Sequence, residues 1–317
     1  MTRPTDRRTC KGKRRDLKNS FDLGNSDRLM RLLRRAQDLK RAQQEQRVAP
    51  TLSGRVVGML FEKHSTRTRV SFEAGVQRLG GGTVVLNKET TQLSRGEPIE
   101  DTAKVMSGYV DAMVIRTTGQ ERIEQWAEHA SIPVVNALTD LDHPCQILTD
   151  AFTVWERSEA PFTMPWAYIG DGNNMANGYI ALAGLLQMEL RIACPKGYEP
   201  DSKYVEKATE MGGQIHILHD VMEAAAGASV LCTDVWASMG QEDKQKEREA
   251  AFADFQLNAK VVNVASEPLV LHCLPAHRGE EISAEVLDSE HSVIFEQAHN
   301  RMPAQQALLE DLLQIDL

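Results

Sequence analysis

The sequence predicts an α/β protein built from two doubly wound parallel-sheet domains. Short apolar runs rich in β-branched residues alternate with segments of helical periodicity, and this alternation occurs twice along the 317 residues. Unusual polar clusters follow most of the predicted strands. Because ligands of open α/β sheets bind beyond the carboxyl ends of the strands, these clusters mark the candidate functional site.

The first half of the chain contains four predicted strands with three helices between them. The strands are 56–61, 83–87, 112–117 and 132–137, and the helices are 70–80, 99–110 and 121–130. A further helix is predicted at 26–44, before the first strand. The parallel order follows from the helix between each pair of strands, which is long enough to return the chain to the same edge of the sheet.

The second half repeats this arrangement. Its predicted strands are 166–171, 190–195, 214–219, 229–236, 260–265 and 269–275, with helices at 176–188, 202–212, 220–228 and 302–314. A segment with two prolines, 155–167, lies between the halves, so we assign residues 1–149 and 150–317 to two domains joined by helices. We expect the C-terminal helix to pack back on the first domain.

Composition narrows the classes of partner. The net charge of −9 disfavours nucleic acid and anionic membranes, although a basic run at 7–15 ends an N-terminal tail of about 15 residues. No run of 18 apolar residues is present, so neither a membrane helix nor a secretory signal is predicted, while the arginines of the tail leave a mitochondrial-type presequence as an alternative. The five cysteines have no C-x-x-C spacing, which favours a reducing cytoplasm over disulfides or structural zinc: Cys10, Cys145, Cys194, Cys232 and Cys273.

The sequence STRTR, residues 65–69, lies between a predicted buried strand and a predicted helix. A helix start offers free backbone N–H groups and a partial positive charge, and arginine and hydroxyl side chains add donors. The segment therefore predicts a phosphate site without the glycines of a P-loop. An N-cap serine followed by two solvated arginines would give the same pattern.

Two further strand ends carry groups that suit a small anionic substrate. Arg116 lies at the end of the strand 112–117. A cation at this position needs an anion, and either a salt bridge or a ligand can supply it. His143 and Gln146, in DHPCQ, can together hold a carbonyl oxygen and an NH₂ group, although a histidine in a turn before proline is also common.

The second half offers polar groups of the opposite kind. In GDGNNMANG, Met175 stands where a dinucleotide fingerprint needs its third glycine, so the tandem asparagines favour a carboxylate ligand or a simple helix cap. Asp234 and Ser238, in DVWASMG, suit an ammonium group. Cys273 follows another strand, and a lone buried cysteine is otherwise a small apolar side chain. No metal-ligand spacing is present, so no metal or other cofactor is predicted.

The segments STRTR, HPCQ, DVWASMGQE and HCLPAHRGEE, in this order and spacing, resemble those of the ornithine carbamoyltransferases. The resemblance runs from about Asp16 to the C-terminus, and its first two motifs are shared by transcarbamoylases generally. The sequence departs from the family at His64, where proline is usual, and at Asn300, where an acidic residue is common. The resemblance implies an active site in the cleft between the two domains.

The resemblance also implies roles for individual residues. Carbamoyl phosphate would be held by Ser65, Thr66, Arg67, Thr68, Arg116, His143, Gln146, Cys273, the Leu274 carbonyl, Arg301 and Gln92, the last from a neighbouring subunit. L-ornithine would be held by Asn174, Asp234, Ser238 and Met239. Arg116, His143, Asp234 and Cys273 would act on the reacting groups, giving citrulline and phosphate in a homotrimer or a multiple of trimers.

The sequence alone also allows other functions. The chain could be a transcarbamoylase for aspartate, N-acetylornithine or putrescine, or an ornithine enzyme working in catabolism rather than arginine biosynthesis. From other classes, an NAD-dependent dehydrogenase and a non-catalytic homologue share the predicted fold. The failed dinucleotide fingerprint counts against the first, and the complete set of expected side chains counts against the second.

Overall fold

A computed structural model describes residues 14–88, 91–237 and 245–315 of the chain, without the side chain of Gln245. The described chain folds into two parallel sheets covered by helices, which confirms the predicted fold class. No helix in these segments has both the length and the apolar character needed to cross a membrane.

The first sheet has four parallel strands in the order β2-β1-β3-β4. They are β1 Val56–Phe61, β2 Gly82–Asn87, β3 Ala112–Arg116 and β4 Val134–Leu138, and the helices of this half are α1 Ser26–Gln44, α2 Arg67–Arg78, α3 Ile99–Tyr109, α4 Gln120–His129 and α5 Pro144–Arg157. The strand order reverses between β1 and β3, so the loops after these two strands meet at a topological switch point.

The second sheet has five parallel strands in the order β7-β6-β5-β8-β9. They are β5 Trp166–Ile169, β6 Glu189–Ala193, β7 Gln214–Leu218, β8 Val230–Thr233 and β9 Leu269–His272. The helices are α6 Asn174–Leu186, α7 Ser202–Glu210, α8 Val221–Ala225, α9 Gln245–Phe252, α10 Ala259–Val264, α11 Ala284–Leu287 and α12 Ile294–Leu312. Here the order reverses between β5 and β8, so their following loops meet at a second switch point.

The strand predicted at 260–265 is wrong, because these residues form helix α10. The side chain of Asn258 accepts a hydrogen bond from the backbone N–H of Lys260 at 3.1 Å and so caps the start of this helix. Val261 and Val262 are buried on one side of the helix, while Val264 is 37% exposed. The capping bond and this one-sided burial outweigh the β propensity of the valines.

The two halves share one apolar core, and helix α12 is central to it. It packs against α1, α2 and α5 of the first half and also contacts β9 of the second. Polar contacts reinforce this packing: buried Glu310 accepts from the Nε of Arg35 at 2.7 Å, and Gln306 donates to the carbonyl of Gly75 at 2.9 Å. The domain boundary expected between 149 and 150 falls inside α5, and it stays a prediction.

Candidate active site

A cavity of about 800 Å³ lies between the two halves. Its walls come from the segments that follow β1, β3 and β4 on one side and β5, β8 and β9 on the other. The two switch points therefore border one cavity. Most of the polar residues singled out from the sequence line it, with Arg67 and Arg116 on the side of the first sheet and Asp234 on the side of the second. The side of the first sheet also carries Asp140, which pairs with Lys63.

The start of helix α2 forms the first wall. Ser65 and Thr66 precede the helix, Arg67 is its first residue, and all three line the cavity. The side chain of Thr66 makes no capping hydrogen bond, so the N–H groups of the first turn have no cap from the N-cap side chain. This is the arrangement that binds phosphate at a helix N-terminus.

Arginines come together beside this helix end. Arg116 closes β3 and Arg301 lies on α12, and both line the cavity with Arg67. Burial, then the neighbouring Arg301, lowers the pKa of Arg116 to about 10, and burial also lowers the pKa of Arg301. Both remain cations at neutral pH. Arg301 is buried, Arg116 is half-buried and Arg67 is exposed. Gathering like charges at a partly buried wall is unfavourable, and an anionic ligand relieves the repulsion.

His143 is the N-cap of α5 and is only 6% exposed. Burial, and then the positive charges of Arg301, Arg116 and Arg67, hold its pKa well below the usual value, so the ring is neutral. Its Nδ1 atom is buried and has no hydrogen-bond partner among the described residues. A buried polar atom left unsatisfied at a cavity wall marks a place for a ligand atom.

Gln146 is held next to the arginines by hydrogen bonds at both ends of its amide. Its oxygen accepts from the Nη1 of Arg301, and its nitrogen donates to Asp150 at 2.7 Å. The Nη2 of Arg301 donates in turn to the Thr68 hydroxyl at 2.7 Å. Helices α2, α5 and α12 thus position one polar cluster, which the sequence had divided among separate motifs.

Leu274 projects a backbone acceptor into the cavity. It lies in the left-handed region with φ of 59°, and its carbonyl accepts from the Nη2 of Arg67 at 2.7 Å. This bond spans the cavity from the first sheet's side to the second's. A carbonyl oxygen has two lone pairs, so it can still accept one further donor.

Asp234 and Cys273 face each other at the ends of β8 and β9. The Cys273 thiol donates to Asp234 at 3.1 Å, and the amide of Asn173 donates to the other carboxylate oxygen at 3.0 Å. Burial, and then Asp234, raises the pKa of Cys273 well above its usual value, so the group is a thiol rather than a thiolate. Asn174 lines the same wall and donates to the carbonyl of Thr139 at 2.9 Å.

Some expected site residues are not brought to the cavity of this chain. Gln92 lies on an exposed 3-10 helix, Gln92–Arg95, away from the cavity lining. Gln146 is 1% exposed and is not itself a lining residue, but it contacts Arg301, which lines the cavity. Ser238 and Met239 lie outside the described residues.

Sequence reasoning missed two groups that support the site: Asp150, and Asp171, which lines the cavity and pairs with Arg248. It left the tandem asparagines open between a ligand and a helix cap. Asn173 caps α6 and also donates to Asp234, a bond that the sequence does not reveal. Asp150 could be recognised only from a helix at 144–157, and Arg248 only from a helix at 245–252. Neither helix was predicted.

Two groups of described side chains could supply metal ligands: Asp234, His272 and Cys273, and His277, Glu280 and Glu281. In the first group, the Nδ1 of His272 accepts from the backbone N–H of Leu274, and its Nε2 contacts Glu281, both at 2.9 Å. Both ring nitrogens are therefore engaged within the protein. The absence of a metal stays a prediction.

The fold and site define a two-domain α/β protein in which a wall with three arginines faces a wall with the carboxylate of Asp234. The family model for the carbamoyl-P binding domain of aspartate/ornithine carbamoyltransferases matches residues 15–156, and that for the Asp/Orn binding domain matches residues 163–312. The chain belongs to the aspartate/ornithine carbamoyltransferase family.

Individual relatives agree with this assignment. An ornithine carbamoyltransferase of Syntrophotalea carbinolica is 50% identical over 90% of this chain and 95% of the relative, and one of Acinetobacter baumannii is 48% identical over 91% and 94%. The solved structure of ornithine carbamoyltransferase from Pyrococcus furiosus superimposes with a TM-score of 0.88 and 42% identity, covering 93% of this chain and 96% of that one.

The geometry predicts that Arg67→Ala weakens binding of a phosphate group by about 10- to 150-fold, the range expected for losing one charge-assisted hydrogen bond. Calorimetric titration with inorganic phosphate measures this. Arg69→Ala is the matched control, since Arg69 lies on the same helical turn but pairs outward with Glu73 at 3.0 Å. Equal affinities in the two variants would show that the start of α2 is not the phosphate site.

Proposed function

We propose that the protein transfers the carbamoyl group of carbamoyl phosphate to the δ-amine of L-ornithine, forming L-citrulline and phosphate. The observation that carries this proposal is one cavity in which the cations Arg67, Arg116 and Arg301 lie across from Asp234 and Cys273. The names of the relatives and of the two matched family models support the same substrates.

The phosphate of carbamoyl phosphate would bind at the start of α2. Ser65, Thr66 and Thr68 would contribute hydroxyl and backbone donors there, and Arg67 would contribute charge. Arg116 and Arg301 would complete the phosphate site, since both line the same wall. A dianion here compensates the cations that burial has left unfavourable.

The carbamoyl group would lie between His143, Gln146 and the Leu274 carbonyl. Gln146 and Leu274 offer oxygen acceptors to the NH₂ group, each with a lone pair beyond its present bond to an arginine. When the amine attacks, negative charge develops on the carbamoyl oxygen, and the donors of Arg116, Thr68 and His143 would stabilise it. Neutral His143 would do this through an N–H bond.

Ornithine would bind against the second sheet. Asp234 would hold the α-ammonium group with Ser238 and Met239, and Asn174 would hold the α-carboxylate. The δ-amine, placed beside Cys273, attacks in its neutral form, because only that form has a free electron pair. The new C–N bond forms as the C–O bond to phosphate breaks, and the leaving phosphate takes the amine proton. Cys273 forms no covalent bond in this sequence, which agrees with its raised pKa.

The identity of the amine provides a direct test. L-ornithine brings both an α-ammonium and an α-carboxylate, whereas N-acetylornithine would leave Asp234 unpaired and putrescine would leave Asn174 unpaired. Aspartate would place a second carboxylate near Asp234. Since stranded polar groups weaken binding strongly, we predict that kcat/KM for L-ornithine exceeds that for each rival by at least about a hundredfold.

Product formation from all four amines measures this preference in the wild type and in Asp234→Asn. The variant is expected to narrow the preference over N-acetylornithine, mainly by reducing the rate with ornithine. A wild-type enzyme that uses N-acetylornithine or putrescine as well as ornithine would contradict the ornithine assignment while leaving carbamoyl transfer intact.

We further propose that residues 1–149 and 150–317 act as the carbamoyl-phosphate and ornithine domains and that the protein works in the cytoplasm, as its free cysteines favour. The subunits would form a trimer or a multiple of trimers. Gln92 supports this arrangement, because it is exposed and lies outside the cavity of its own chain. A neighbouring subunit would bring it to the phosphate.

Mixing two inactive variants tests this shared site. If Gln92 and His143 act from different subunits, random trimers of Gln92→Ala and His143→Ala chains contain about a quarter of intact sites. The unmixed variants are the controls. Activity that does not rise after unfolding and refolding the mixture together would place both residues on one subunit or remove Gln92 from the site.

A further inference from the structure

Asp150 is a carboxylate with no exposed surface that lies one helical turn beyond Gln146 on α5. One of its oxygens accepts from the amides of Gln146 at 2.7 Å and Gln297 at 2.6 Å. The other accepts from the Tyr179 hydroxyl at 2.6 Å. A fully buried carboxylate is stable only when such donors satisfy it, so this cluster is a built feature of the fold.

The hydrogen-bonding chemistry of this cluster fixes the orientation of the Gln146 amide. Arg301 can only donate, and an ionised Asp150 can only accept. The amide oxygen of Gln146 must therefore face Arg301, and its nitrogen must face Asp150, as the two bonds show. The reverse orientation would place two donors against each other at Arg301 and two acceptors against each other at Asp150.

Asp150 is ionised near neutral pH, and residues of the second half of the molecule hold its carboxylate in place. Burial raises its pKa to about 6, while the bonds from Tyr179, Gln146 and Gln297 favour its charged form. Tyr179 lies on α6, and the amide oxygen of Gln297 accepts from the backbone N–H of His272 at 2.9 Å. The carboxylate cannot turn away from Gln146 without breaking these bonds.

We propose that Asp150 is a positioning residue that orients the Gln146 oxygen toward the NH₂ group of carbamoyl phosphate. This inference rests on the proposed function, because it takes the carbamoyl group to bind beside Gln146. Asp150 touches no reacting atom. It makes the site select an amide NH₂ over an isosteric methyl group, because only the NH₂ can donate to the oriented oxygen.

A pair of stable ligands isolates this selection. Phosphonoacetamide and acetonylphosphonate carry the same phosphonate and carbonyl groups and differ only in an NH₂ group against a CH₃ group. Calorimetry at pH 7.5 gives their dissociation constants without ornithine or turnover. The wild type is expected to bind phosphonoacetamide about tenfold or more tightly, since the methyl ligand leaves the Gln146 oxygen without its donor.

In Asp150→Leu the preference is expected to fall below about threefold, because an apolar side chain of similar size accepts no hydrogen bond from Gln146 and leaves its amide free to turn. Binding of acetonylphosphonate and of inorganic phosphate should change little. Tyr179→Phe is the matched control: it removes a neighbouring buried hydrogen bond to the same carboxylate but leaves the bond from Gln146, so it should lower thermal stability and keep the preference.

Each result decides the question. Retention of the wild-type preference in Asp150→Leu, an equal loss of affinity for both ligands, or a wild type without preference would overturn the proposal. If thermal melting shows that Asp150→Leu is unfolded, Asp150→Ala replaces it, since alanine fits the space and also removes the acceptor of the Gln146 amide. Failure of ornithine transfer itself would appear separately, as a wild type that forms no citrulline.

Discussion

The site depends on one unfavourable arrangement: Arg67, Arg116 and Arg301 are gathered at one wall of the cavity. Burial and then Arg301 lower the pKa of Arg116, burial lowers the pKa of Arg301, and burial together with the three arginines keeps His143 neutral. The fold tolerates this cost because Arg301 is tied to Thr68 and Gln146 from neighbouring helices. A phosphate dianion bound there would offset this cost, so we expect the same arrangement to become a source of affinity in the complex.

The opposite wall has the complementary chemistry, and helix α12 keeps the two walls together. Asp234 is held by Asn173 and Cys273, which leaves a buried carboxylate facing the cationic wall. Helix α12 supplies Arg301 to the phosphate side while its Gln297 bonds to the backbone at His272, next to Cys273. One helix therefore sets the relative position of the groups that we propose bind the two substrates, and catalysis by orientation requires such positioning.

Much of the fold and of the candidate site could be predicted from the sequence, because the signals for them are local. Strand β1 followed by STRTR is contiguous, and so are β3 with Arg116 and β9 with Cys273. The misassigned strand at 260–265 shows the limit of local reasoning: VVNV favours a strand, but the cap from Asn258 starts a helix there. Residue type alone could not reveal that this asparagine would act as the N-cap.

The supporting groups could not be predicted, because their partners are distant in sequence. Asp150 gains its role only when Gln297, 147 residues away, arrives beside it, and Arg248 only when Asp171, 77 residues away, does. Helix α5, which carries His143, Gln146 and Asp150, begins at Pro144. Proline is typical of a first helical turn, so this one signal for the helix was present in the sequence.

Isotope labelling tests directly whether the δ-amine of ornithine receives the carbamoyl group. The enzyme is supplied with carbamoyl phosphate labelled with ¹³C at the carbamoyl carbon and ornithine labelled with ¹⁵N at the δ-nitrogen, and the products are followed by NMR. If the δ-amine attacks the carbamoyl carbon, the labelled carbon appears in citrulline with a one-bond coupling to ¹⁵N, in step with the release of phosphate. A labelled carbon that appears only in hydrolysis products, or in a product without this coupling, would contradict attack by the δ-amine in this cleft.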